Sequence, residues 1–259
     1  MDSASIWATV QSIRGKAPVV HSITNYVVMN NTANALLAIG ASPVMAHAEE
    51  EMEEMVGIAS ALVINIGTLS EGWVRSMFLA TEAARKKGIP IVFDPVGVGA
   101  TSYRTGVARE LIEAVPPEII RGNASEIMAL LNAGGKTRGV DSSAASEDAV
   151  TTGRQLHAQS GSVVCISGAT DYIIGAAGVI MNKTGHPMMT RVTGLGCTAS
   201  ALCGAFAAVS ADPFAAAAEA MAVMGIAGQI AAARSQGPGT LQVHFIDALY
   251  NLAFEQVTI

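Results

Sequence analysis

Four short apolar runs, each closed by a polar residue or a glycine, most constrain how this 259-residue chain folds. They lie at 61–67 (Ala-Leu-Val-Ile-Asn-Ile-Gly), 91–94 (Ile-Val-Phe-Asp), 119–121 (Ile-Ile-Arg) and 163–168 (Val-Val-Cys-Ile-Ser-Gly). An unbroken apolar run, in place of an alternating one, marks a strand buried on both faces, as in a parallel sheet covered by helices. Helical stretches separate the runs, over 71–87, 103–114, up to Leu131, and over 147–159. The first opens behind Ser70 and closes on Arg85-Lys86-Lys87-Gly88, with basic residues in the last turn and glycine just beyond it. Such alternation predicts an α/β fold with a doubly wound sheet, whose ligand crevice is lined by polar residues at the strand C-termini. Here those residues are Asn65, Asp94, Arg121-Gly122-Asn123 and Ser167-Gly168.

The flanking segments are read more simply. Val19-Val20 leads into a polar stretch, His21 to Tyr26, and Asn30-Asn31-Thr32 offers N-caps for a helix over 33–39 that Gly40 ends. Residues 42–45 restart extended structure, and 49–54 form an acidic, solvated helix face. Residues 134–146 read as a Gly/Ser-rich surface loop, and 171–190 as a β-hairpin at a sheet edge or over the ligand crevice. With no internal repeat or linker, residues 1–259 read as one domain.

Hydrophobic residues make up 51% of the chain and charged ones 14%, enough for a large core without disulfides. A net charge of −6 argues against a nucleic-acid or anionic-membrane surface. Three cysteines, an odd number without paired spacing, fit a reducing compartment. The N-terminus lacks a signal-peptide pattern, and a cytoplasmic location is expected. Residues 214–233 are long enough to span a bilayer, but their alanines, glycines and Glu219 favour a buried core helix.

The densest chemistry lies in Arg191-Val192-Thr193-Gly194-Leu195-Gly196-Cys197-Thr198-Ala199-Ser200. Two glycines precede a small-residue helix, whose first N–H groups and positive dipole end suit an anion. Cys197, in the first turn, is expected to ionise more easily there. It reads as inert packing, as a nucleophile with His21, His47 or His244 as base, or as the place where an attacking hydroxyl is aligned and deprotonated. Phosphoryl transfer asks little beyond positioning and charge neutralisation, so a modest base suffices for the last reading. The same turn fits G-x-G-x-x-A, yet no clean strand precedes it and no strand ending in an acid follows about 20 residues on, which disfavours nicotinamide binding. A G-x-x-x-x-G-K-[ST] phosphate loop is also absent from the sequence. Asn123-x-x-Glu126 has capping-box form, but it shares the sheet edge with Asp94, and two such carboxylates suit Mg²⁺ held through water. Asp94 as a cap of the Asp-Pro turn is equally open. Cys165, Cys203, the Met188-Met189 pair, Met221 and Met224 read as core residues.

Taken together, Asn25, Ala38-Ile39-Gly40-Ala41-Ser42-Pro43-Val44-Met45, Asp94-Pro95-Val96-Gly97-x-Gly99-Ala100-Thr101, Arg121-Gly122-Asn123-Ala124-Ser125-Glu126-Ile127 and Thr193-Gly194-x-Gly196-Cys197 resemble the hydroxyethylthiazole kinase family. Ser235-x-Gly237-Pro238-Gly239 and Phe245-x-Asp247-Ala248-Leu249 extend the match toward the C-terminus. The resemblance implies a ribokinase-like three-layer α/β/α sandwich with a mostly parallel sheet, assembled as a homotrimer with active sites between subunits. It implies Mg²⁺-dependent transfer of the ATP γ-phosphate to the primary alcohol of 4-methyl-5-(2-hydroxyethyl)thiazole, a salvage step toward thiamine. By the same resemblance, Met45 and Gly194 contact the thiazole with Asn25 nearby, and Arg121, Asn123 and Ser167 bind ATP. Asp94 and Glu126 hold Mg²⁺, while Gly194, Gly196 and Cys197 form the anion hole and the catalytic turn. Many wider ribokinase-like kinases resemble this chain but carry aspartate at the position of Cys197, whereas cysteine is usual in the thiazole branch. Ser167 stands where that family often has threonine. A kinase of another small alcohol, a pyrimidine or a sugar, and a non-catalytic metabolite-binding protein are the alternatives.

Overall fold

Each apolar run becomes a strand: β3 (Ala61–Asn65), β4 (Ile91–Asp94), β5 (Ile119–Asn123) and β6 (Val163–Ser167). The computed structural model describes residues 1–131 and 144–258, so most of the expected loop over 134–146 lies outside the described residues. With β1 (Val19–Ile23), β2 (Ser42–Val44), β7 (Asp171–Gly175) and β8 (Gly178–Asn182), the strands form one sheet in the order β2-β1-β3-β4-β5-β6-β7-β8. The first six strands run parallel, and β7 and β8 form the expected antiparallel hairpin at one edge.

Side chains alternate between the two faces, and both faces are buried. Val63 and Val92 enter one core, with Leu62, Ile64, Ile91 and Phe93 in the other. The first core is covered by α1 (Ser3–Lys16), α2 (Met29–Ile39), α8 (Leu195–Ala207), α9 (Pro213–Ala233) and α10 (Pro238–Tyr250). The second is covered by α3 (Met52–Ile58), α4 (Glu71–Lys87), α5 (Ser102–Ala114), α6 (Ala124–Leu131) and α7 (Ala144–Ser160). The result is the three-layer α/β/α architecture with a mostly parallel sheet.

Several local expectations shift. The polar residues His21 and Ser22 belong to β1 and are fully buried. Helix α2 starts at Met29 behind Val28, and no side chain caps it. The asparagines offered as caps are used elsewhere: Asn30 Oδ1 accepts from Asn34 Nδ2 at 3.1 Å and Asn31 Oδ1 from Gln242 Nε2 of α10 at 3.1 Å. What starts the helix is a turn at Asn25, whose Oδ1 accepts from the Val27 amide at 3.1 Å and whose carbonyl accepts from the Val28 amide at 3.2 Å. Lys87 does more than oppose the helix dipole, because its Nζ donates to the Val56, Gly57 and Ala59 carbonyls and ties α4 to the end of α3. Helix α9 is long and apolar enough to cross a membrane but is 78% buried in its apolar window, the packing of a core helix. Ser5 Oγ of α1 donates to the buried Glu219 carboxylate within it.

The sheet has its switch point between β1 and β3, since the chain leaves β1 outward to β2 and then returns to the other side of β1. Helix α8 lies directly over this region. It approaches closely because Gly204 has no side chain: a Cβ there would stand 2.6 Å from Val63 Cγ2 and 3.3 Å from Val20 Cγ1. Gly204→Ala is therefore expected to destabilise the protein by about 1–3 kcal/mol despite the better helix propensity of alanine. Denaturant unfolding measures this, and a variant as stable as the parent would contradict the close packing.

Candidate active site

The polar residues expected at the strand ends do converge. Register places Asn65 beside Asp94, and Asn123 beside Ser167. Asp94 is buried; its Oδ2 accepts from Asn65 Nδ2 at 2.6 Å, while its Oδ1 has no partner. Arg121 is only 8% exposed, donates from Nη2 to Ser167 Oγ at 2.6 Å, and leaves Nε without a partner. Glu126 and Asn123 do form a capping box: Asn123 Oδ1 accepts from the Glu126 amide at 2.9 Å and Glu126 Oε2 from the Asn123 amide at 2.8 Å. Glu126 also reaches the loop after β4, because its Oε1 accepts from the Gly97 amide at 2.9 Å. Its two oxygens are thus fixed in place, each with a lone pair to spare for the cleft. Arg104 braces the same loops by donating to the Ile66, Gly67 and Val96 carbonyls.

The glycine turn arrives from above. Gly194 is the N-cap of α8 with φ +85°, a left-handed conformation in which a Cβ would also stand 2.7 Å from Val28 Cγ1. The first helical bond is from the Thr198 amide to the Gly194 carbonyl at 2.9 Å, so the amides of residues 195–197 lie ahead of the hydrogen-bonded ladder. Gly196 faces Arg121: a Cβ at that position would be 3.0 Å from Nη1.

Two cavities meet at this point. One, of about 410 Å³, is lined by Asn25, Thr68, Asp94, Arg121, Asn123, Glu126, Ser167, Gly194, Gly196 and Cys197, among others. The other, of about 540 Å³, shares Arg121, Ser167 and Gly196 and extends past Asp171 and Lys183 to an apolar wall of Met189, Met221, Met224 and Leu195. Of the expected crevice and site residues, Asn65 and Gly122 at the strand ends line neither cavity, and Met45 lies off both, packed against the core just after β2. Met189, Met221 and Met224 pack on the core as expected but also form a cavity wall, a second role that their sequence did not show. Asp171, Lys183 and Thr184 line the larger cavity from the hairpin expected at the sheet edge or over the crevice, although none of them was singled out individually. Asp171 and Asn182 are register partners in the hairpin, and Asn182 Nδ2 donates to Asp171 Oδ2 at 2.9 Å, a pairing visible only once the strands align.

One chemical expectation is overturned. Cys197 does sit in the first turn of α8, half-buried, but burial pushes its thiol up to about 11, and the nearby Asp94 carboxylate adds to the effect. Desolvation of the thiolate outweighs the helix dipole. Burial likewise lifts the Asp94 carboxyl to about 6, with Arg121 opposing the shift and Glu126 adding to it.

Fold and site together define a class. A ribokinase-like superfamily protein from Enterococcus faecalis V583 has the same fold, with a TM-score of 0.64 at 15% identity over 96% of this chain and 88% of that one. The solved structure of hydroxyethylthiazole kinase protein from Pyrococcus horikoshii OT3 matches with a TM-score of 0.88 and 44% identity, covering 95% of this chain and 93% of that chain. The protein is thus a kinase of ribokinase-like α/β fold. Residues 10–255 match the model of the hydroxyethylthiazole kinase family, and the hydroxyethylthiazole kinase of Syntrophus aciditrophicus (strain SB) is 64% identical over 252 residues, 97% of this chain and 93% of that protein. The chain belongs to the hydroxyethylthiazole kinase family.

Two outcomes follow from the buried groups. A carboxyl whose pKa rises on folding holds its proton more tightly in the native state, so stability falls as pH climbs from about 4 to about 6. Without added metal, Asp94→Asn should stabilise the protein by roughly 1–3 kcal/mol at about pH 7, and the gain should vanish at about pH 3.5. Equal destabilisation at both pH values would contradict the burial of an ionised Asp94. Cys165 and Cys203 are fully buried, so alkylation of the native protein reports on Cys197. Iodoacetamide at about pH 8 should react at least about tenfold more slowly than with glutathione and faster as pH rises toward 11. A rate at or above that of glutathione would show an activated thiolate instead.

Proposed function

We propose that this kinase transfers the γ-phosphate of ATP, with Mg²⁺, to the primary alcohol of 4-methyl-5-(2-hydroxyethyl)thiazole, in thiamine salvage. The observation that carries the reading is the junction of the two cavities at Arg121, Ser167 and Gly196, beneath the N-terminus of α8. ATP lies in the larger cavity with its base toward the methionine wall and its phosphates toward Arg121, Ser167 and Asn123. The thiazole alcohol lies in the smaller one, between Asn25 and Gly194, with its hydroxyl at Cys197.

Phosphoryl transfer depends on alignment and on charge stabilisation of the three equatorial oxygens. Arg121 and the amides of residues 195–197 supply that stabilisation from opposite sides of the junction. Asp94 and Glu126 would hold a divalent ion, because Asp94 Oδ1 is a buried acceptor that makes no hydrogen bond among the described residues and Glu126 is fixed by two backbone amides. When bound there, Mg²⁺ neutralises phosphate charge. Cys197 keeps its own proton at neutral pH, which supports a role in aligning the hydroxyl rather than removing its proton. The hydroxyl proton then leaves with the transferred phosphoryl group.

The same reading takes residues 1–259 as one cytoplasmic catalytic domain that works as a homotrimer with active sites between subunits. The single sheet supports the first part. Met45 supports the second: it lies off its own chain's cavities, while Tyr26 and Val27 expose apolar surface beside Asn25.

ADP release from Mg-ATP, measured with the thiazole alcohol beside hydroxymethylpyrimidine and sugar alcohols, tests the activity. Release should depend on the thiazole, and Arg121→Ala should raise the KM for ATP at least about tenfold more than that for the thiazole alcohol. Release with a different alcohol alone would keep the kinase and reject this substrate. The reverse KM pattern would remove Arg121 from the phosphate site.

A further inference from the structure

Between the thiol and the metal-facing carboxylate runs a buried chain of two amides, Asn25 and Asn65, of which Asn65 has no part in the roles above. Asn25 Nδ2 donates to Cys197 Sγ at 3.4 Å and to Asn65 Oδ1 at 2.9 Å. Asn65 Nδ2 donates to Asp94 Oδ2 at 2.6 Å. An amide can flip in principle, but here backbone donors set the direction of both. The Val27 amide points at Asn25 Oδ1 at 3.1 Å, and the Gly67 amide points at Asn65 Oδ1 at 2.9 Å. Each NH₂ group is therefore turned toward an acidic acceptor, Cys197 Sγ in one case and Asp94 Oδ2 in the other. Asn65 is 1% exposed and touches neither cavity, so no ligand reaches it. Gly67 makes the arrangement possible, because a Cβ there would stand 2.5 Å from Asn25 Nδ2.

We propose that Asn65 is a positioning residue for phosphoryl transfer: it fixes Asp94 through Oδ2, leaving Oδ1 without a hydrogen bond among the described residues, and holds Asn25 against Cys197. It thereby locks the acceptor-hydroxyl side and the metal side of the site to one rigid point, the end of β3 at the switch of the sheet. The inference rests on the proposed reaction for its kinetic consequence and on the hydrogen bonds for its geometry.

Asn65→Leu removes both links, and Asn65→Ser, a milder change, keeps a hydroxyl for the Gly67 amide but falls short of Asp94. Thr81→Val in α4 serves as a control: Thr81 is buried, bonds only to the Met77 and Phe78 carbonyls and lies away from both cavities. The measurements are kcat, the two KM values, the thermal midpoint, and the Mn²⁺ affinity of the ADP complex by water-proton relaxation. Both Asn65 variants should lose about 10- to 100-fold in kcat and about tenfold in Mn²⁺ affinity, with each KM changed less than about threefold. Thr81→Val should lower the thermal midpoint without either loss. In Mn²⁺ affinity the Asn25→Ala, Asn65→Ser double variant should lose no more than the weaker of its two parents, because one chain is cut twice. Its KM for the thiazole alcohol also carries the loss of Asn25 from the smaller cavity. Unchanged kcat and Mn²⁺ affinity in Asn65→Ser, or losses that Thr81→Val reproduces, would overturn the proposal. Should the unaltered protein release no ADP with the thiazole alcohol, the proposed reaction fails instead, and the Mn²⁺ affinity still decides the role of Asn65.

Discussion

Arg121 and Asp94 carry opposite charges at neighbouring strand ends, are both buried, and do not close on each other. The three ion pairs within 4.0 Å among the described residues join surface side chains, and neither Arg121 nor Asp94 belongs to any of them. Removing such groups from water costs several kcal/mol each unless partners replace the lost solvent. Their free atoms, Nε of Arg121 and Oδ1 of Asp94, stay without protein partners. The cleft between them is thus a region of held-apart charge that a phosphate with its cation would neutralise. Much of the local architecture follows from keeping the pair apart: Ser167 holds the guanidinium, Asn65 holds the carboxylate, and Gly196 leaves room above Arg121.

The fold supplies this geometry through strand register rather than through any single motif. Asn65, Asp94, Arg121 and Ser167 come from four consecutive strands, β3 to β6, and reach one edge because those strands run parallel. The helix that faces them, α8, begins at the edge where it must deliver unpaired amides. Its close approach relies on small residues, so the same small-residue pattern that mimics a membrane segment in the neighbouring α9 builds a dense layer over the sheet.

Much of this was legible from residues alone. The doubly buried strands announced the parallel sheet, and a polar residue at the end of each announced the crevice. Gly194, Gly196 and Cys197 were readable as a glycine turn opening a helix with free amides, because both features act locally. Less legible were contacts that depend on tertiary alignment. Helix α1 is faint in the sequence although Ile6, Val10 and Ile13 follow helical spacing, because the face they form is short and set among polar residues. Asn30 and Asn31 looked like caps, yet the turn at Asn25 already fixed the helix start. The Cys197 thiol reversed its expected ionisation because burial, which no local pattern reveals, outweighs the dipole. Asn65 was visible only as a polar strand end, since its side-chain partners come from the end of β4 and from the turn after β1.

On the proposed reading, the two cavities form one reaction line across the gap between Arg121 and Asp94. A crystal structure with a non-hydrolysable ATP analogue, Mg²⁺ and the thiazole alcohol tests it most directly. The expected complex has a triphosphate running from the methionine-walled cavity to Arg121, with its terminal phosphate at the amides of residues 195–197 and the alcohol oxygen beside Cys197. A terminal phosphate seated away from that turn, or an alcohol bound outside the smaller cavity, would contradict it.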